Sequence, residues 1–114
     1  MITRLEFEQA AKNARQELSI ALPKMIGYKK SIQVEVLETA TPQELSDVVA
    51  CRLNQGLVEK LTSLAHDMWM NDRTPLSLYC ASMAVATIIK EYDWGLYYLT
   101  ADGLYEIATR IQNN

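Results

Sequence analysis

The stretch from Thr74 to Ile89 carries no charged side chain, lies between Arg73 and Lys90, and opens with Thr74-Pro75, a helix cap followed by proline at the first helical position. Leu76, Leu78, Tyr79, Met83, Val85, Ile88 and Ile89 surround its axis, so the helix is apolar on nearly every side. Such a helix must be covered on most faces, by the rest of its chain or by a second subunit. Its sixteen residues fall short of the roughly 18 that suggest a membrane span, and Ser77, Ser82 and Thr87 interrupt it. No membrane association is expected.

The rest of the chain supplies candidates to cover it. Thr3 and Glu6 form a capping box, and Phe7, Ala11, Ala14, Leu18, Ala21 and Leu22 recur at helical spacing until Pro23, which ends that helix or follows its end closely. A basic loop with Tyr28 around Gly27 is expected next. Ile32, Val34 and Val36 then alternate with polar residues, which predicts a short strand near 31–37. Thr41, Pro42 and Glu44 start a further helix, whose stripe Leu45, Val49, Leu53, Leu57, Leu61, Leu64 and Met68 keeps one face apolar. Unbroken to Met70 it would be about 43 Å long. The favoured reading is one helix bent at Asn54-Gln55-Gly56, with two helices as the alternative. Residues 95–99 suit a second short strand, and Thr100 caps a last helix; Asp102-Gly103 also permits a hairpin over 96–109, although the apolar spacing favours the helix.

The expected fold is therefore mainly α, or α+β: one domain over 1–114, with four to five helices around a central apolar helix (about 75–92) and one or two short strands (about 31–37 and 95–99). A hydrophobic content of 49% and a charged content of 22%, with four glycines and three prolines, suit a packed core. Cys51 and Cys80 make no disulfide framework and are expected to be reduced and buried. The charged N-terminus lacks a signal-peptide pattern, so the expected location is the cytoplasm.

Catalytic and metal chemistry find little to work with. There is one histidine, His66, and the two cysteines lie far apart without close Cys or His companions, so no metal site and no cofactor is expected. Four scattered glycines form no phosphate-binding loop. A small enzyme using Cys51 or Cys80 with His66 as base would need the fold to bring them together.

Residues 1–30 hold six Lys/Arg against three Asp/Glu, whereas the remainder holds five against eleven. Lys24, Lys29 and Lys30 around Tyr28 are the candidates for nucleic-acid phosphate contacts. Tyr97-Tyr98-Leu99-Thr100-Ala101-Asp102-Gly103 resembles the Leu-Thr-x-x-Gly strand-to-helix junction of winged-helix transcription regulators over about a dozen residues, a resemblance that implies DNA binding. Only Asp93-Trp94-Gly95 separates that segment from the helix before it, which leaves no room for a wing, and that helix is uncharged from Thr74 to Ile89, where a recognition helix carries Arg, Lys or Asn.

Tyr92, Trp94, Tyr97, Tyr98 and Tyr105 fall within fourteen residues and are side chains that binding hot spots favour. The leading expectation is a non-enzymatic protein-interaction module of the adaptor, chaperone, immunity-protein or phage-type inhibitor kind. Its binding surface would lie on the Tyr92–Tyr105 segment and the exposed face of the 41–70 helix. A protein is the expected partner, a homo-oligomer would also cover apolar surface, and DNA binding is the alternative.

Overall fold

The computed structural model describes residues 1–92 and 95–114, and among these it contains six α-helices, one 3-10 turn and no strand. The helices are α1 (Arg4–Gln16), α2 (Leu18–Thr39), α3 (Pro42–Val49), α4 (Gln55–Trp69), α5 (Pro75–Tyr92) and α6 (Ala101–Gln112), with the 3-10 turn at Tyr97–Leu99. Helix α5 is the centre. Eleven of its eighteen residues are buried, and α1, α2, α4 and α6 all pack against it. Full burial of Leu78, Val85 and Ile88 contributes about 2 kcal/mol each from removed apolar surface. The hydroxyls within this helix are satisfied locally: Ser82 donates to the Leu78 carbonyl at 2.7 Å and Thr87 to the Met83 carbonyl at 2.6 Å. The chain exposes 6427 Å², close to the roughly 6300 Å² of a folded monomer of this mass, so one copy suffices to cover α5.

The capping signals act as the sequence suggests. Thr3 with Glu6 and Thr41 with Glu44 form complete capping boxes. The Thr74 hydroxyl accepts from the Ser77 amide, and that of Thr100 from the Gly103 amide, both at 3.1 Å.

Several expectations are corrected. Residues 31–37 belong to α2 and not to a strand. The decisive stripe is Ala21, Met25, Tyr28, Ile32 and Val36, all packed in or against the core at spacings of four and three, whereas Val34 is exposed. The alternation at 32, 34 and 36 is thus incidental to a helical face. Gly27 and its lysine neighbours consequently sit inside a helix rather than in a loop. Pro23 ends nothing. The break comes earlier, at Glu17 (φ −114°, ψ 52°), so only one turn of α2 precedes the proline, on an exposed side of the helix.

Residues 95–99 likewise form no strand: Tyr97–Leu99 is a 3-10 turn leading into α6, which also removes the hairpin reading. Residues 42–70 are two helices. Cys51 takes a left-handed conformation (φ 55°), and Asn54 then caps α4 by accepting from the Leu57 amide at 3.1 Å. The interruption re-aims α3, so Leu57 and Leu61 are buried while Leu45, Val49 and Leu53 face outward. It also puts Cys51 on the surface, contrary to the buried position expected; Cys80 is buried.

Gly103 shows the tightest backbone approach. A β-carbon there would lie 2.0 Å from the Tyr97 carbonyl oxygen and 2.7 Å from the Tyr98 α-carbon. Both are main-chain atoms and cannot swing away. Gly103→Ala should therefore destabilise the fold by about 3 kcal/mol, the upper range for overpacking, measurable as a lowered urea midpoint with an unchanged slope.

Candidate functional site

A largely apolar, open groove of about 630 Å³ lies between α1 and the beginning of α5. Ala10 and Ala14, both buried, are too small to fill the space between α1 and Pro75-Leu76, and Leu5 stands on the rim 77% exposed. The polar rim is acidic and amidic: Glu6 and Glu17 line it with Gln9 and Asn13, and the Gln9 amide donates to Asn13 Oδ1 at 3.0 Å along the helix. Small residues inside, one projecting leucine and a negative rim suit an apolar segment flanked by basic or amide groups. The sequence carried only a faint sign of this groove, because Ala14 reads there as an ordinary core position and Ala10 lies off the apolar stripe.

The aromatic cluster is divided by the fold. Tyr92, Tyr98 and Tyr105 are partly buried against the core. Tyr105 packs beside Phe7 with ring centroids 5.8 Å apart, and the Arg4 guanidinium lies 5.2 Å from its ring centre. Tyr97 is 56% exposed, next to exposed Leu96, and meets Tyr98 edge-on at 5.2 Å. The negative charge of Glu106, aided by a hydrogen bond to it, raises the Tyr97 hydroxyl pKa, and burial raises that of Tyr92. Trp94 lies outside the described residues.

The basic residues are mostly engaged. Lys24 donates to Asp72 at 2.6 Å and to the Ser77 hydroxyl at 3.1 Å, while the Ser77 hydroxyl itself donates to Asp72. The hydrogen bond that Lys24 donates to Asp72 chiefly raises the Lys24 pKa, and the bonds that Asp72 accepts from Lys24 and then Ser77 lower that of Asp72. A Ser–Lys pair can carry nucleophilic chemistry, but the ion pair with Asp72 favours the charged form of this lysine, and Ser77 is completely buried. The cluster is a latch joining α2 to the turn before α5. Lys29 pairs with Glu91, which also accepts from Gln33 at 3.0 Å. Tyr28 packs on the core, and Lys30 is exposed and makes no ion pair or hydrogen bond among the described residues.

Cys80 and His66 each face a backbone carbonyl. The Cys80 thiol sits 3.8 Å from the Ala21 carbonyl, and burial pushes its pKa up to about 11. His66 Nδ1 lies 2.7 Å from the Ile111 carbonyl, and its ring sits 6.2 Å from that of Trp69. Among the described residues no group of three His, Cys, Asp or Glu side chains could hold a metal ion, and no helix is long and apolar enough to cross a membrane. The Leu99–Gly103 segment begins as a 3-10 turn where a winged helix has a strand, and α5 before it is enclosed by four other helices. Comparison with protein-family models, with curated proteins and with solved structures gives no match.

Two outcomes follow from the latch and the buried thiol. Because the folded Asp72 pKa lies below its unfolded value, the stability it contributes is present above about pH 4 and is lost as pH falls through the folded value. Asp72→Asn should cost about 1 kcal/mol or less at pH 7, since the pair is partly exposed and screened, and should reduce the loss of thermal stability between about pH 5 and 3. Cys80 should stay unlabelled by a thiol reagent at pH 8 in the native protein and react on denaturation, as mass analysis of the labelled peptides would record.

Proposed function

We propose that this chain acts without catalysis, by binding a protein partner through the groove between α1 and the start of α5. The observation that carries the reading is an apolar concavity of about 630 Å³ flanked by a leucine that is 77% exposed. A concave apolar site with a few polar groups at its edge is the usual form of a recognition site, and a projecting leucine on a helix is a natural contact for an apolar partner segment. Glu6 and Glu17 on the rim favour a partner segment with basic flanks. Tyr97 and Leu96, both exposed, form a second apolar point of contact on the surface expected from the aromatic cluster.

The other readings draw less support. Phosphate binding by Lys24 and Lys29 would require breaking ion pairs with Asp72 and Glu91. A cysteine nucleophile at position 80 would need a thiolate, which burial opposes.

The test uses Leu5→Glu, a substitution on an exposed position that leaves the core intact. Chemical cross-linking and affinity capture from source cells should recover at least roughly tenfold less partner with Leu5→Glu than with the wild type, the size expected for removing one central apolar anchor. Circular dichroism and melting temperature should be unchanged. Equal recovery by the variant would show that the groove is not the binding site.

A further inference from the structure

Helix α2 buries only Ala21, Ile32 and Val36 among its 22 residues, and it leaves Leu18, Ile20, Leu22, Ile26, Val34 and Leu37 exposed. On its outer face Lys30, Val34 and Glu38 follow one another at a spacing of four, so they form one row. Ile26 and Leu37, 57% and 71% exposed, run beside this row. Neither Lys30 nor Glu38 makes an ion pair or hydrogen bond among the described residues. Eight residues separate them, about 12 Å along the axis, too far for them to pair within one helix.

That order, cation, valine, anion, is complementary to its own reverse. We propose that the outer face of α2 is a self-association surface, on which a second copy of this chain packs its own α2 antiparallel about a two-fold axis at Val34. The symmetry then sets Val34 against Val34 and brings each Lys30 level with Glu38 of the second copy, giving two identical ion pairs around an apolar centre. Leu37 widens that centre along one edge. This face is separate from the α1–α5 groove, and its test needs only the purified chain, so the two readings stand or fall apart.

Sedimentation analysis of the full chain from about 1 to 200 µM should show a reversible dimer with a dissociation constant on the order of micromolar, in keeping with a modest interface. Lys30→Glu and Glu38→Lys each place like charges opposite one another and should weaken the dimer by roughly tenfold or more, while the double swap, K30E with E38K, should restore it to within about threefold. Both substitutions are at exposed positions, and circular dichroism reports whether the fold is kept in each of the three variants. A wild type that stays monomeric at the highest concentration overturns the proposal. So does a dimer that both single variants leave unweakened, and so does a double swap that fails to restore association, since only antiparallel pairing of these residues predicts the rescue.

Discussion

Covering α5 is the constraint from which the other features of this structure follow. A helix with Leu78, Val85, Ile88 and Ile89 distributed around its circumference has no face that water would tolerate, and α1, α2, α4 and α6 enclose it between them. The alanines and serines at 77, 81, 82, 84 and 86 allow this, because small side chains let neighbouring helices approach closely on several sides at once. Each buried hydroxyl has a partner at hand, so the polar atoms in the helix cost little.

Once α5 is enclosed, polar side chains fasten the enclosing elements to one another. Lys24 reaches from α2 to Asp72 and Ser77, Lys29 from α2 to Glu91, and Lys60 from α4 to Glu44 at 3.0 Å and to the Thr39 carbonyl at 2.7 Å. Glu44 is the least comfortable member. Burial pushes its pKa upward, and the bonds from Lys60 and Thr41 outweigh that push, leaving the carboxyl below its ordinary value with Oε2 lacking a hydrogen-bond partner. Partly exposed pairs such as these add modest stability, but they specify which helix lies beside which. They also engage Lys24 and Lys29, two of the three lysines that a phosphate-binding surface would have used.

The apolar residues left outside are therefore the more informative ones. Having spent its small alanines on α5, α1 leaves the groove beside Leu5; having turned Ile32 and Val36 inward, α2 leaves Val34 and Leu37 in solvent. Single exposed apolar side chains are ordinary on a folded surface, whereas a concavity lined by them, or several gathered on one helix face, is characteristic of association. Both features are consequences of the same packing, since each helix offers one face to the centre and the remainder of its apolar residues to whatever lies outside.

What was legible in the sequence was local. The helix starts at Thr3, Thr41, Thr74 and Thr100 depend on a hydroxyl reaching an amide three residues away, and the need to bury α5 depends on its composition alone. What the tertiary structure decided was everything that depends on distant partners. Residues 31–37 satisfy a strand pattern and a helical one, and packing against α4 and α5 selects the helix, since no second strand exists among the described residues to pair with them. The stripe from Leu45 to Met68 reads as one face, yet the left-handed Cys51 divides it into an exposed half and a buried half. Lys24 is 48 residues from Asp72 and Lys29 is 62 from Glu91, separations across which no sequence spacing reports a contact. A cap can be read from the chain because its partners are three residues apart; a groove, a latch or an outward helix face exists only after the helices have chosen their neighbours.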